Sequence, residues 1–364
     1  MEYYVAPGRL NIIGEHTDYN DGFVLPVAVD RYVQVGITKS ENHLVYVASQ
    51  GFGEFSFDPK SISPSGSWKD YVMGIFDILK KEKEIDFPGL KLEIKSNVPE
   101  GAGLSSSAAI EVAVITALNG FLGIGLTDKE RYLLSQKAEN EFVGVQCGIM
   151  DQFVSVMGKK NHAIFLDTMT LEHEYVPLKT DEYTLVIVDS KVKHNLSDGG
   201  YNQRKEEAKK ALEEFGVRSY RELSLSQLFM KRSQVSEVSY KRAMHVVTEN
   251  ERVKEAMDIL KHSNFENLGR VLNQSHESLA IEYEVSCDEV NFIVDTLKEL
   301  DGVTGCRMIG GGFGGAVLAV CEKSKVEEVF EKVKVEYAKK YGIDADTYLI
   351  ESADGARQVN RPLI

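Results

Sequence analysis

Apolar and polar residues alternate along "LKLEIKS" (Leu90–Ser96), the two-residue period of a strand with one buried face. The alternation stops at Pro99, and Gly101 and Gly103 follow. Beyond them Ala108, Ala109, Ile110, Val112, Ala113, Val114, Ile115, Ala117 and Leu118 cover most of the circumference of a helix beginning near Ser105. A helix apolar on nearly every side is a buried one. A second helix is predicted from "TDKE", where Thr127 and Glu130 have capping-box spacing, and it continues past Glu139. The run "TLVIVDS" at 184–190 reads as a buried strand, and the charged text from 202 to about 261 reads as helical. "GCRMIGGGFGGAVLAVCEK" predicts strand, glycine turn, strand, and the chain then closes with a helix over about 325–341 and a strand at "TYLIES".

These elements make an α+β protein. The character changes near 178–183, where a half mixing strands and helices gives way to a mostly helical one. The expected division is therefore two domains, 1–180 and 181–364. A length of 364 residues suits two domains, and 43% hydrophobic with 27% charged residues is ordinary for a globular protein. With 42 basic and 56 acidic residues the net charge is −14, which argues against a nucleic-acid-binding surface. It leaves room for a small anionic ligand, since a few backbone amides and one or two cations suffice to hold one. Cys147, Cys287, Cys306 and Cys321 lack metal-site spacing and are expected to be reduced thiols. Neither a signal peptide nor an apolar run of membrane-spanning length is visible, so a cytoplasmic protein is expected.

The glycines and serines before the buried helix raise a chemical question. A helix N-terminus in apolar surroundings stabilises a phosphate, glycines let the backbone approach it, and serines can cap the helix. A glycine turn with a serine cap is the simpler alternative. The usual phosphate-loop pattern G-x-x-x-x-G-K-[S/T] is absent. Gly310, Gly312 and Gly315 satisfy G-x-G-x-x-G, but strand-like "AVLAVCE" follows where a dinucleotide site would open a helix. A tight strand-to-strand turn beneath a ligand fits better. Two further clusters are hard to explain as packing. "APGRLNIIGEHTDYNDGFVLP" sets Arg9, Glu15, His16, Asp18 and Asn20 close together, and "QCGIMDQF" places Asp151 just after Gly148. Closely set donors and acceptors suit a polyhydroxylated ligand, although Asp151 and Asp18 are each also placed to cap a helix or turn.

Taken together, these segments resemble the GHMP kinase superfamily and, within it, the galactokinase-like sugar kinases. "GRLNIIGEHTDYNDGFVLP" is similar to the sugar-kinase signature, "PEGAGLSSSAA" to the superfamily's phosphate-binding motif, and "RMIGGGFGGA" to its third motif. "WKDYVMG", "AENEFVGVQCGIMDQF" and "YNQR" add to the likeness, which covers nearly the whole chain in the family's order. The resemblance implies a two-domain fold with ATP in the cleft between the domains. The phosphates would lie on Gly101, Ala102, Gly103, Leu104, Ser105, Ser106 and Ser107, with Mg²⁺ held by Ser107 and Glu139. Asp151 would face the C1 hydroxyl of galactose with Arg9 beside it. Glu15, His16, Asp18, Gly148 and Tyr201 would bind the sugar, and the product would be α-D-galactose 1-phosphate. ATP and galactose are thus the implied partners, with a monomer expected. A kinase for N-acetylgalactosamine or L-arabinose and a non-catalytic sugar sensor are the alternatives; the intact "GAGLSSSAA" speaks against the sensor. Two departures from the family pattern stand out: Ala316, a conservative change, and the pair Gly199–Gly200, expected to loosen a loop beside the sugar site.

Overall fold

The computed structural model describes residues 1–193 and 197–364. The alternating stretch forms strand β6 (Leu90–Ser96), with Leu90, Leu92 and Ile94 buried. It belongs to a six-stranded sheet ordered β13 (Arg357–Val359), β1 (Glu2–Asn11), β3 (Pro26–Lys39), β6, β4 (Val45–Ser49), β5 (Gly53–Phe57). Neighbours run antiparallel except β4 and β6, which are parallel. Through β13, the end of the chain returns to pair with its first strand, Tyr3 opposite Val359.

Helix α2 (Ser106–Leu122) buries Ala108, Ala109 and every residue from 111 to 118, Glu111 and Thr116 included. It packs on β1 and β3 and is surrounded by α1 (Lys69–Lys83), α3 (Asp128–Ala138) and α4 (Met150–Met157). Helix α3 opens with the expected capping box: the Thr127 hydroxyl accepts the Glu130 N–H, and the Glu130 carboxylate accepts the Thr127 N–H. Past Ala138 the chain widens into one π-helical turn, residues 139–143, ended by Gly144 at φ 88°.

A second sheet, antiparallel throughout, has the order β10 (Val303–Ile309), β11 (Gly314–Glu322), β9 (Tyr183–Lys193), β12 (Asp346–Ile350). Its strands read as continuous apolar runs because both faces are covered. On β11, Ala316, Leu318 and Val320 point into the core that contains α2, while Val317, Ala319 and Cys321 point into a second core. Strand β9 divides the same way, Leu185 and Ile187 against Val186 and Val188. The second core is built with α5 (Ser197–Phe215), α6 (Leu225–Lys231), α7 (Glu237–Lys261), α9 (Asp288–Lys298) and α10 (Val326–Tyr341). Helix α8 (Phe265–Ile281) lies against β10 and contributes to both cores. A small third sheet is formed by β2 (Phe23–Val24), β7 (His162–Asp167) and β8 (His173–Pro177). Among the described residues no helix is long and apolar enough to cross a membrane.

The glycine pair at 199–200 corrects an expectation: both residues lie in the first turns of α5 rather than in a loop. A Cβ on Gly200 would come within 2.6 Å of the Phe313 ring, so the missing side chain lets α5 seat against the glycine turn.

Candidate active site

Arg9 reaches the site because β1 is irregular there. The β1–β3 register shifts between Pro7 and Arg9, and such a bulge re-aims the following side chain. At Gly8 a Cβ would sit 2.6 Å from the Leu104 carbonyl oxygen, so its absence allows the loop before α2 to press against the bulge. The Arg9 N–H then donates to Leu104 O at 3.1 Å, and the guanidinium donates to Gly103 O at 2.5 Å. Its remaining edge forms a two-pronged ion pair with Asp151, Nε to Oδ1 at 2.7 Å and Nη2 to Oδ2 at 2.8 Å. Planar guanidinium matches carboxylate in this geometry, which fixes both side chains. Asp151 sits in the first turn of α4 behind Ile149 at the N-cap. Its side chain is engaged with Arg9 and the Ser105 hydroxyl, so the capping alternative does not describe it.

The serine cap is likewise corrected. Ser105 occupies the N-cap of α2, but in the left-handed region at φ 52°, with no side-chain bond to the helix. Its hydroxyl donates to Asp151 Oδ2 instead. The first-turn amides of α2 therefore keep their capacity to bind an anion. Across from this loop lies the β10–β11 turn, confirming a strand-to-strand connection at the second glycine cluster. The two glycine segments approach closely: a Cβ on Gly310 would be 3.7 Å from the Gly103 Cα.

Both segments open onto a cavity of about 620 Å³ lined by Arg9, Glu15, His16, Asp18, Gly101, Gly103, Glu139, Gly148, Asp151 and Tyr201, among others. Ala102 and Leu104 are buried, and Ser105, Ser106 and Ser107 are partly buried outside the lining. Burial first, then the neighbouring Asp151 and Glu15, pushes the Asp18 carboxyl up to about 7. His16 is driven the other way, to about 3, by burial and then by His245 and Arg204, so its imidazole is neutral. Its Nδ1 meets the Tyr19 hydroxyl at 2.7 Å, while the buried Nε2 has no hydrogen-bond partner. Rings of Tyr19, Tyr201 and Tyr283 surround the imidazole at 4.8–5.8 Å.

Glu15 is differently employed. Its carboxylate accepts the Gly310 N–H at 2.9 Å and Asn11 Nδ2 at 3.1 Å, and lies 3.3 Å from Arg307. Arg307, fully buried, also donates to the carbonyls of Asn11, Ile12 and Met308. Glu15 and Arg307 thus tie the sugar-signature loop to the glycine turn. From α7, Glu249 accepts the Gly14 N–H at 3.0 Å and Asn250 accepts that of Phe23 at 2.8 Å, anchoring the same loop.

Near Ser107, Glu139 is buried in the π-helical turn and bonds the Ser107 side chain, Gln152 and Cys147. Burial, followed by the charge of Asp151, raises its carboxyl to about 7. A wide helical turn of this kind is frequent at functional sites.

Tyr19, Cys147, Arg307, Glu249, Glu111 and Gln152 escaped the reading of the sequence. Tyr19, Cys147, Gln152 and Arg307 stood inside the quoted motifs. Glu111 carried a signal too, an acid within an otherwise apolar helix. Arg307 and Glu249 gain their meaning only from tertiary contacts.

Two predictions arise here. A Cβ on Gly148 would fall 1.9 Å from Asp18 Oδ2. Gly148→Ala is therefore expected to displace Asp18 and raise the KM for the sugar that the sequence resemblance implies at least about tenfold, with a melting temperature near wild type. Unchanged steady-state kinetics would show that the two residues do not share a subsite. The second prediction concerns pH. Because the folded Asp18 carboxyl lies above its ordinary value of 3.8, its contribution is present at low pH and lost as pH rises through about 7. Relative to wild type without ligand, Asp18→Asn should gain about 2–3 kcal/mol of stability between pH 5 and pH 8. Chemical denaturation at the two pH values reads this directly, and a constant difference refutes it.

Comparison with known proteins matches the family model "GHMP kinases N terminal domain" at residues 70–159, "Galactokinase galactose-binding signature" at 2–39 and "GHMP kinases C terminal" at 254–339. A galactokinase of Thermotoga maritima is 47% identical over 97% of this chain and 99% of its own length. One from Mannheimia succiniciproducens is 39% identical over 96% and 93%. Lactococcus lactis galactokinase, solved in complex with galactose, superposes with a TM-score of 0.94 at 33% identity, covering 98% of this chain and 95% of the other. Methanococcus jannaschii mevalonate kinase shares the fold, with a TM-score of 0.71 at 18% identity over 97% and 98%. The chain belongs to the GHMP kinases and, within them, to the galactokinase family.

Proposed function

We propose that the chain transfers the γ-phosphoryl group of ATP to the C1 hydroxyl of α-D-galactose, yielding ADP and α-D-galactose 1-phosphate. The observation that carries this reading is the Arg9–Asp151 ion pair, placed between the glycine loop and the sugar-signature loop. Phosphoryl transfer asks little covalent work of a protein; it asks for aligned groups and positive charge. The γ-phosphoryl group would rest against the first-turn amides of α2 and Arg9. Asp151 would accept the proton of the C1 hydroxyl as that oxygen bonds to phosphorus and the bond from phosphorus to the leaving ADP oxygen breaks. An anomeric hydroxyl is acidic enough for a carboxylate to serve.

On the sugar side, Asp18 and the unpartnered His16 Nε2 would take ring hydroxyls, with Gly148 and Tyr201 shaping the wall and Glu15 at its edge. The residues present also fit a divalent cation. Ser107 and Glu139 offer hard oxygen donors, and a cation would offset the burial, and then the nearby Asp151 charge, that raise the Glu139 carboxyl. When bound, Mg²⁺ would neutralise phosphate charge. Every group invoked lies in one chain, so a monomer in the cytoplasm with reduced cysteines suffices.

Glu139→Ala is expected to raise the Mg²⁺ concentration for half-maximal activity about tenfold or more, since hard cations at phosphates take only one or two protein ligands. Overlaying Mg²⁺ titrations of mutant and wild type would remove Glu139 from the cation site. For the reaction itself, initial rates of ATP-dependent phosphorylation are compared across galactose, N-acetylgalactosamine, L-arabinose and glucose. Galactose should have the highest kcat/KM; a higher value for another sugar would reassign the substrate.

A further inference from the structure

Helix α2 buries two polar residues, Thr116 and Glu111, and only Glu111 is ionisable. Glu111 is fully buried among alanines, valines and isoleucines. An uncompensated carboxyl in such a place costs stability, and a well-packed apolar residue would usually be at least as stable. The partners of Glu111 are the Glu139 side chain and Gln152, also fully buried, whose Nε2 donates to Glu111 Oε2 at 3.0 Å and to Glu139 Oε2. Glu111 Oε1 and Gln152 Oε1 have no partners of their own, so the cluster is not there to satisfy hydrogen bonds.

What the cluster does have is position. Ser107 and Glu111 are four residues apart on α2 and so share one face of that helix. Gln152 directly follows Asp151 on α4, and Glu139 begins the π-helical turn after α3. The pair therefore joins the three segments that carry Ser107, Glu139 and Asp151.

We propose that Glu111 and Gln152 are positioning residues that hold the Glu139 carboxylate toward Ser107 in the orientation that takes a divalent cation. This rests on the reading of Glu139 as a cation ligand. Without Gln152 and Glu111, Glu139 has lost the amide donor and the carboxyl that fix it from the α2–α4 side, and its other contacts there are the Ser107 side chain and the weak Cys147 thiol. Outer partners of metal ligands are typically worth about 10–100-fold in affinity.

The test uses Mn²⁺ as probe, its binding to the protein measured by electron paramagnetic resonance with a non-hydrolysable ATP analogue present. Glu111→Met should weaken Mn²⁺ binding about tenfold. Glu111→Gln, which keeps a hydrogen-bonding side chain of the same length, should restore it to within a few-fold, and the galactose KM should not move in either. If Glu111→Met does not fold, Gln152→Met carries the same expectation, because it removes the amide that reaches Glu139. Wild-type Mn²⁺ binding in a folded Met variant overturns the proposal, as does a Gln variant as weak as the Met variant. Glu139→Gln separates the two claims. If it too binds Mn²⁺ normally, the cation reading of Glu139 has failed; if it alone loses binding, only the positioning role has.

Discussion

Replacing Asp151 by asparagine is expected to lower kcat for galactose about a thousandfold while changing KM for either substrate only a few-fold. Asparagine keeps the shape, and its single carbonyl oxygen can still accept from Arg9 Nη2 and Ser105, while its amide nitrogen, a donor, faces Arg9 Nε where the carboxylate accepted. It does not take up a proton at neutral pH. Loss should therefore fall on the step in which the C1 hydroxyl surrenders its hydrogen. Arg9 is only 8% exposed and would lose its counter-charge, so a lower melting temperature should accompany the kinetic loss. Steady-state kinetics at saturating substrate are the check, and a mutant keeping a third or more of wild-type kcat removes Asp151 from proton transfer.

The second large effect is expected at Asp18. Galactose differs from glucose in its axial 4-hydroxyl, so discrimination depends on groups that reach that face of the ring. Asp18 could instead hold together the turn at 18–22, but the structure gives that turn other ties. Asn20 Nδ2 donates to His16 O at 2.7 Å, Gly22 N–H to Thr17 O at 2.8 Å, and the Thr17 hydroxyl to Gly14 O and Phe23 O at 2.8 and 2.7 Å. Asp18 itself accepts the Tyr19 N–H and points at the surface left bare by Gly148. Asp18→Ala should consequently lower kcat/KM for galactose about a hundredfold, because a carboxylate reading a hydroxyl is worth several kcal/mol against the wrong epimer. The galactose-over-glucose ratio should shrink with it, and the melting temperature should stay within a few degrees of wild type. A mutant that melts far lower yet keeps its sugar kinetics would make Asp18 a turn residue.

How much of this was legible beforehand depended on whether local pattern or tertiary contact set the outcome. Strand β6, the α3 capping box and the β10–β11 turn follow from period, spacing and glycine placement, and they stand where expected. The joining of Arg9 to Asp151 across 142 positions rested on resemblance, since no local rule links them. Ser105 shows the limit of local reading. As a cap its hydroxyl would accept an N–H of α2, but the residue takes a left-handed backbone at φ 52° and its hydroxyl donates to Asp151 instead. Gly199 and Gly200 differ in another way: as a departure from the family pattern they were expected to loosen a loop, but they lie in α5, where the missing side chain at Gly200 leaves room for the Phe313 ring. Glu15 was expected to bind sugar and is chiefly engaged with Arg307 and the Gly310 amide, contacts made by residues nearly three hundred positions away.

The central claim is that Asp151 and Arg9 serve transfer to the anomeric oxygen, and product identity tests it most directly. Galactose labelled with ¹³C at C1 is incubated with ATP and Mg²⁺, and the product is read by ³¹P and ¹³C NMR. The account predicts a phosphorus coupling at the labelled carbon, in the α configuration, from wild type and none above background from Asp151→Asn. Phosphate at another carbon, or the same product formed at the wild-type rate without the Asp151 carboxylate, would contradict it.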